Sequence, residues 1–157
     1  MAMRRRDLLL AGAASFVAMT AGLRAEESFP FQLSDAEWRA RLDPAVYGVL
    51  RHEETERAFS SPLNEEKRAG TFRCAGCGQA LFASETKFDS RTGWPSFWDF
   101  LPGAIGTKED NTLGMSRVEV HCANCGGHQG HVFEDGPPPT GLRYCINGLA
   151  LQFVPAA

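Results

Sequence analysis

The sequence lacks three features that would each have suggested a particular class of function. It has no low-complexity tract, and its only internal repeat is a pair of short Cys-x-x-Cys-Gly units. It has no excess of basic residues, since the formal net charge is −3, which argues against nucleic-acid binding. No predominantly apolar run reaches the roughly 20 residues that a membrane-spanning helix needs. What remains is an ordinary globular composition, 43% hydrophobic and 22% charged over 157 residues, which predicts one domain.

The first 25 residues have the three-part layout of a secretory signal peptide. Three arginines at positions 4–6 precede an apolar, small-residue run over residues 8–23. A membrane anchor is the alternative, but the run is short and rich in Ala and Gly. The arginines, followed by Asp7 and two leucines, resemble a twin-arginine export signal. We therefore predict a signal peptide over residues 1–25 and export to a bacterial periplasm.

Removal of this segment would make the chain more acidic. Four arginines and one aspartate leave from a total of 16 basic and 19 acidic residues, so that 12 and 18 remain and the net charge is −6. We predict that residues 26–157 form a single catalytic domain, a monomer without a membrane span or a nucleic-acid partner.

The mature chain reads as short helices followed by a β-rich body. Residues 33–58 look helical, with a capping box at Ser34 and Glu37 and a second start at Asp43 and Pro44. From residue 71 onward, short apolar runs alternate with turn residues, which is typical of an antiparallel β core. Residues 117–121 alternate in polarity like a half-buried strand.

Four of the five cysteines form two near-identical knuckles, CAGCG at 74–78 and CANCGG at 122–127. The two-residue spacing lets both sulfurs of a knuckle face one point, and the following glycine permits the tight turn. Four thiolates suit a closed, structural Zn²⁺ site. Two disulfides are an alternative for an exported protein. A second alternative recruits His128 or His131 beside Cys122 and Cys125, which would leave Cys74 and Cys77 without a role. We predict one structural Zn²⁺ held by Cys74, Cys77, Cys122 and Cys125.

The fifth cysteine lies in GLRYCING, residues 141–148. A free cysteine is most often a buried core residue. Strand alternation, however, places Leu142, Tyr144 and Ile146 on one face and Arg143, Cys145 and Asn147 on the other. Cys145 therefore lies between a cation, which favours the nucleophilic thiolate, and an amide.

Histidines and aromatic residues are the other candidates. His128 and His131 follow the second knuckle and are natural proton donors near neutral pH, whereas His52 and His121 read as structural. The aromatic residues of TGWPSFWDF, residues 92–100, are typical of a core, but Trp94 could wall an apolar pocket. We also predict Phe97 and Phe133 as substrate-binding residues.

These motifs resemble the methionine sulfoxide reductase B family, which acts on the R epimer of methionine sulfoxide. The resemblance covers most of residues 33–155 and rests on CAGCGQALF, KFDSRTGWPSFWD, RVEVHCANCGGHQGHVFEDGPPPTGLRYCIN, the closing LQF and the approach LRHEETERAFS. It implies a pair of antiparallel sheets with short N-terminal helices. It also implies that Cys145 is the catalytic cysteine, that the four knuckle cysteines are zinc ligands, and that Trp94, His128, His131, Arg143 and Asn147 are active-site residues.

The mechanism implied is attack of the Cys145 thiolate on the sulfoxide sulfur, with a histidine protonating the oxygen and Cys145 left as a sulfenic acid. Replacing either histidine should cost about 10²–10⁴-fold in rate. Many family members carry a resolving cysteine where this chain has Thr92, so we predict reduction by an external thiol or a thioredoxin-like protein. The substrate is free or protein-bound methionine sulfoxide. The rival functions are a zinc-stapled binding module with an inert Cys145 and a disulfide-handling oxidoreductase using the knuckles.

Overall fold

The computed structural model describes residues 28–157, so the predicted signal peptide lies outside the described residues. Within this range the chain forms two α-helices and nine strands, joined by turns and short 3₁₀ helices. No helix in residues 28–157 has the length and apolar character to cross a membrane. The mainly β architecture with two short helices at the start of the described chain confirms the predicted fold class.

The two helices begin where the sequence predicts. Helix α1, Asp35–Arg41, has Ser34 as N-cap with both hydrogen bonds of the capping box to Glu37. Helix α2, Pro44–His52, has Asp43 as N-cap and Pro44 at its first position. Proline suits this position because its missing N–H would have no partner inside the helix.

The helical prediction for residues 53–58 is wrong. Helix α2 ends at His52, and its C-cap Glu53 has a left-handed φ of 57° and donates its N–H to the Gly48 carbonyl. The chain then runs irregularly beneath the cleft described below, where the backbone of Glu56 hydrogen-bonds two side chains. A helix here would have used those backbone groups internally.

Two antiparallel sheets form the body of residues 28–157. The three-stranded sheet has the order β2-β1-β9 and the six-stranded sheet the order β3-β4-β8-β7-β6-β5. The strands are β1 Gly70–Cys74, β2 Ala80–Ala83, β3 Lys87–Phe88, β4 Ser96–Phe97, β5 Ile105–Asp110, β6 Arg117–Cys122, β7 His128–Phe133, β8 Arg143–Ile146 and β9 Leu151–Pro155.

Strand β6 was predicted to be half-buried, and the burial pattern differs. Val118 is 39% exposed, whereas Glu119 and His121, on the face expected to meet solvent, are buried. The reason is that Phe29 packs edge-on against His121 on this face, with 5.6 Å between the ring centroids. The polar face of β6 is also covered because Glu119 hydrogen-bonds His121 and His128.

Phe97 lies in the core, which corrects its predicted role in substrate binding. Its ring has no exposed surface, stacks on Phe82 at 4.4 Å between centroids and meets Phe72 edge-on at 4.9 Å. Such aromatic contacts stabilise the packing between the sheets. Phe97 therefore supports the sheet that carries the cleft and does not line the cleft itself.

Candidate active site

A small open cleft of about 130 Å³ lies over the centre of the six-stranded sheet. This volume is far below the 300–1,000 Å³ of sites for drug-sized ligands, so it suits a side chain and not a large cofactor. Five of the predicted site residues line it: Trp94, His131, Phe133, Cys145 and Asn147. The other lining residues are Thr55, Arg117 and Gly130.

Strand β8 presents Cys145 to this cleft as alternation predicts. Tyr144 and Ile146 are buried, while Arg143 and Cys145 are partly exposed on the opposite face. Cys145 pairs directly with His131 of β7. A Cβ at the neighbouring Gly130 would overlap the Cys145 carbonyl oxygen, so only glycine lets β7 lie this close.

His131 is held by a carboxylate that sequence reasoning missed. Its Nε2 lies 2.7 Å from Asp110 Oδ2, and the same oxygen accepts from Arg117 Nη2 at 2.7 Å. Hydrogen bonds from Thr112 and His131 hold the pKa of the Asp110 carboxyl far below its ordinary value. Burial lowers the pKa of His131, and the bond to Asp110 opposes that shift. Asp110 therefore fixes which ring nitrogen of His131 is left for other partners.

His128 does not line the cleft. Its ring is buried, and its Nδ1 lies 2.7 Å from Glu119 Oε1 while the other Glu119 oxygen bonds His121. Burial opposes ionisation of Glu119, but the hydrogen bonds from both histidines outweigh it and bring its pKa to about 2. His128 Nε2 has no hydrogen-bond partner among the described residues, and its ring centroid is 5.5 Å from that of His131.

Arg143 is less available to Cys145 than the strand pattern suggests. Its guanidinium makes a two-point ion pair with Asp135, at 2.8 and 2.9 Å, and stacks 4.4 Å from the Phe133 ring. Burial raises the pKa of the Cys145 thiol, and the contributions of Thr92 and Arg143 only partly offset it. In this state the thiol form of Cys145 is favoured.

Trp94 and Asn147 are held by one residue, Glu56. Trp94 Nε1 donates to the Glu56 carbonyl at 3.1 Å, and the Glu56 N–H donates to Asn147 Oδ1 at 3.0 Å. The Asn147 amide also donates to the Gln129 carbonyl at 3.1 Å. Both cleft walls are therefore fixed before any ligand arrives.

Thr92 stands beside the candidate nucleophile. Its Oγ1 lies 3.8 Å from Cys145 Sγ. Thr92 occupies the position at which many family members carry a resolving cysteine. This position is within contact of Cys145 Sγ, but the Thr92 hydroxyl cannot form a disulfide.

The four knuckle cysteines meet at the junction of the two sheets. Their Sγ atoms all lie within 4.8 Å of one another, with Cys74 3.7 Å from Cys125 and Cys77 3.6 Å from Cys122. A disulfide needs about 2.05 Å, and all four are free thiols. A tetrahedral Zn²⁺ with Zn–S bonds of about 2.3 Å spaces its sulfurs about 3.8 Å apart, so the donor set fits a metal of this kind.

The glycine after each knuckle has the predicted turn role. Gly78 and Gly126 have φ of 79° and 68°, in the left-handed region that favours glycine. Each donates its backbone N–H to the carbonyl oxygen of the first cysteine of its knuckle at 2.8 Å. The two knuckles are therefore near copies in structure as in sequence.

A larger groove of about 700 Å³ lies against α2 and the 3₁₀ helix Pro62–Glu65. The described residues that line it include no cysteine and no histidine. The smaller cleft, with a thiol, an imidazole and an amide together, is the candidate for chemistry.

Sequence reasoning missed Asp110, Arg117, Glu119 and Glu56. Asp110 and Glu56 act through partners far along the chain, His131 and Asn147. Arg117 and Glu119 act through nearer partners that only the pairing of the strands brings into contact. A weak signal existed for Glu119, whose position on a strand with alternating polarity marks it as a carboxylate that a covered sheet would bury.

Comparisons with known proteins agree with this geometry. The family model described as the SelR domain matches residues 42–155. The chain is 54% identical over 123 residues to the peptide methionine sulfoxide reductase MsrB of Agrobacterium fabrum, which covers 78% of this chain and 91% of that protein. It is 56% identical over 120 residues to the protein of the same name from Pseudomonas putida, covering 76% and 90%. The corresponding protein of Methanosarcina barkeri is 54% identical over 121 residues, covering 76% and 85%. The chain therefore belongs to the SelR domain family, together with the MsrB proteins.

Proposed function

We propose that this chain, an oxidoreductase that reduces methionine sulfoxide, acts on the R epimer through a sulfenic acid at Cys145. One observation carries the proposal: Cys145 lies in a cleft directly across the sheet from His131, with Trp94 as a wall. Family membership supplies the reaction class, and the cleft supplies a nucleophile, a proton donor and an apolar surface.

The first step is attack of Cys145 Sγ on the electrophilic sulfoxide sulfur. An Sγ–S bond forms as the protonated oxygen leaves the methionine sulfur as water. Water then attacks Cys145 Sγ, the Sγ–S bond breaks, and methionine leaves with Cys145 as a sulfenic acid. The sulfoxide gains two electrons and the Cys145 sulfur loses two, so methionine is released without another reactant. Trp94 would pack against the methyl group, and Asn147 would orient the oxygen or an intervening water.

His131 is the better placed proton donor. It lines the cleft, and the hydrogen bond to Asp110 stabilises its protonated form. The His128 ring packs against the His131 ring, and its Nδ1 is hydrogen-bonded to Glu119. General acid assistance of this kind is worth about 10²–10⁴-fold.

The sulfenic acid is reduced by an external thiol or a thioredoxin-like protein. Two thiols convert it to the Cys145 thiol and water and leave as a disulfide. The support is that Thr92 stands next to Cys145 and that the remaining cysteines are grouped in the knuckle site. No intramolecular disulfide should therefore form during turnover of the metal-loaded enzyme.

We propose Zn²⁺ as the metal at Cys74, Cys77, Cys122 and Cys125, since the sulfur spacings fit a tetrahedral ion. Its contribution is structural, because the knuckles lie outside the cleft.

We also propose export through the twin-arginine pattern at residues 4–9. It rests on the sequence alone, and lysine in place of the arginines should retain a reporter fusion in the cytoplasm.

The test is an assay on separated R and S epimers, free and within a peptide, with several thiol reductants. We expect turnover of the R epimer only, near-complete loss in Cys145→Ser, and Zn²⁺ near one per chain. Substantial turnover by Cys145→Ser with excess reductant, or equal rates on both epimers, would overturn the proposal.

A further inference from the structure

Three hydroxyl groups form an unbroken chain that ends at Cys145. Ser96 Oγ lies 2.7 Å from Ser90 Oγ, and Ser90 Oγ lies 2.8 Å from Thr92 Oγ1. Thr92 Oγ1 lies 3.8 Å from Cys145 Sγ. The far end is anchored, since Ser96 Oγ donates to the Trp94 carbonyl at 3.2 Å.

The local fold holds this chain of hydroxyls in place. Ser96 is fully buried on β4 and pairs directly with Cys145 on β8. The connecting turn is constrained, because Arg91 has a left-handed φ of 59° and its N–H donates to Asp89 Oδ1 at 2.9 Å. A left-handed conformation at a non-glycine residue is costly and persists only where its surroundings enforce it. That turn aims Thr92 at the sulfur.

Each hydroxyl has a single proton, so the chain has two complete arrangements. With Cys145 as a thiol, the S–H donates to Thr92, Thr92 to Ser90, Ser90 to Ser96, and Ser96 to the Trp94 carbonyl. With Cys145 as a thiolate, every hydroxyl turns round, and Thr92 donates to the sulfur. Only the carbonyl of Trp94 loses a partner in the second arrangement.

We propose that Ser96, Ser90 and Thr92 form a reversible hydroxyl relay whose reorientation stabilises the Cys145 thiolate. Thr92 contacts the sulfur, and Ser90 is a positioning residue that acts through Thr92. Ser96 anchors the far end of the relay, and its hydroxyl also reaches the sulfur across the β4–β8 pair. The proposal rests on the proposed function, in which the thiolate is the reacting form. The relay gives a role to Thr92, which occupies the position of the resolving cysteine of many family members.

The charged groups around Cys145 have other partners, although Arg143 also hydrogen-bonds the sulfur and helps to lower the pKa of Cys145. On β7, His131 is bonded to Asp110, which also holds Arg117. On its own strand, Arg143 is paired with Asp135. On the side of β4 and its turn, Asp89 is engaged with the backbone and Arg91 is exposed. The relay therefore supplies an uncharged hydrogen-bond donor, the Thr92 hydroxyl, to Cys145 Sγ from the side of β4.

The experiment measures the rate of Cys145 alkylation by iodoacetamide against pH, on the full zinc-loaded chain, with the modified peptide identified by mass spectrometry. A hydrogen bond to a charged group is worth enough to move a pKa by about one unit. We therefore expect Thr92→Val to raise the midpoint of the Cys145 profile by about one unit. Ser90→Ala should raise it by a smaller amount, and Thr92→Ser should restore it.

The matched control is Thr86→Val, which removes a hydroxyl bonded only to the Ala83 carbonyl and should leave the profile unchanged. Zinc content and melting temperature report on folding for each variant. A Thr92→Val profile that superposes on the wild-type one in folded protein would overturn the relay. Alkylation needs no turnover, so failure of Cys145→Ser to abolish activity would count against the proposed function and not against the relay.

Discussion

At the scale of single residues, the cleft holds its reactive pair in the unreactive proton arrangement. Burial raises the pKa of Cys145 above its ordinary 9.0 and lowers that of His131 below its ordinary 6.5. Between the two pKa values the pair carries one proton, which rests on sulfur. The thiolate with imidazolium is the same pair after one proton transfer, so its fraction is constant across this range of pH. The kcat/KM should therefore be flat there, falling in acid as His131 gains a second proton for the pair and in alkali as Cys145 loses the only one.

The acid limb of that profile gives a test of Asp110. The Asp110→Asn variant removes the carboxylate whose hydrogen bond opposes the lowering of the His131 pKa. The pKa of His131 should then fall further, and the acid limb of kcat/KM should move to lower pH. The measurement is kcat/KM with the R sulfoxide across both limbs. An acid limb that stays in place, or moves to higher pH, would contradict the assignment of this limb to His131.

The two histidines should respond differently to replacement. His131→Ala should lower kcat by about 10²–10⁴-fold with a smaller change in the free energy of unfolding, because Asp110 keeps its hydrogen bonds from Thr112 and Arg117. His128→Ala leaves buried Glu119 with one hydrogen-bond partner fewer, so the protein should lose about 1–3 kcal/mol of stability. Urea unfolding and single-turnover rates separate the two effects. A His131→Ala enzyme that keeps most of its turnover would show that another group delivers the proton.

The sequence specifies some of these residues and not others, for a physical reason. Alternation along β8 is a local signal, so the sequence of residues 142–147 alone was enough to place Cys145 on the polar face of the strand. Asp110 reaches His131 only because β5, β6 and β7 lie side by side. Phe97 was misplaced because an aromatic residue three positions after Trp94 could face either side of the sheet until the β4–β8 pairing was known.

At the scale of elements, the segment after α2 and the turn after β8 are joined by a buried carboxylate. Glu56 is 8% exposed, and its two oxygens accept from the N–H groups of Gly148 at 2.5 Å and Leu149 at 3.0 Å. These residues start the 3₁₀ helix Gly148–Ala150, whose first N–H groups have no partner within the helix. Because the Glu56 backbone also holds Trp94 and Asn147, this junction sets the width of the cleft.

Replacing that carboxylate should affect binding as well as stability. In Glu56→Gln one amide N–H₂ would face a backbone N–H, and an unsatisfied buried donor costs about 1–3 kcal/mol. We expect a lower urea midpoint and a raised KM, because Trp94 and Asn147 lose a fixed support. Glu54→Gln, two residues earlier and exposed, is the matched control and should change neither. If KM stayed at its wild-type value while stability fell, Glu56 would have a structural role alone.

Element boundaries were predictable wherever the signal is local. The N-caps Ser34 and Asp43 mark the helix starts because a cap is a contact within one turn. The end of α2 carries no such mark, since Glu53 takes a left-handed conformation that its side chain does not favour. The burial of the polar face of β6 depends on contacts with Phe29 and His128, which lie on other segments, and could not be read from its own alternation.

At the scale of the whole molecule, the knuckles join the two sheets. One knuckle connects β1 to β2 in the three-stranded sheet, and the other connects β6 to β7 in the six-stranded sheet. Gln129 donates to Cys74 Sγ at 3.5 Å, and its backbone carbonyl accepts from Asn147. The metal site and the cleft therefore share one strand, β7, although they are chemically separate.

Removal of the proposed Zn²⁺ from the knuckle cysteines should unfold the protein and not merely inactivate it. Structural Zn²⁺ contributes about 10–16 kcal/mol of apparent binding free energy at neutral pH, whereas a domain of this kind has about 5–15 kcal/mol of net stability. A chain without the ion should therefore be largely unfolded, with loss of activity following loss of structure. Circular dichroism, activity and zinc content measured together during titration with a chelator test this, with re-added Zn²⁺ as the control for reversibility. Cys77→Ser, which removes one ligand far from Cys145, should reproduce the effect. A zinc-free chain with an unchanged melting temperature would show instead that the packing of Phe72, Phe82 and Phe97 between the sheets suffices to hold the cleft together.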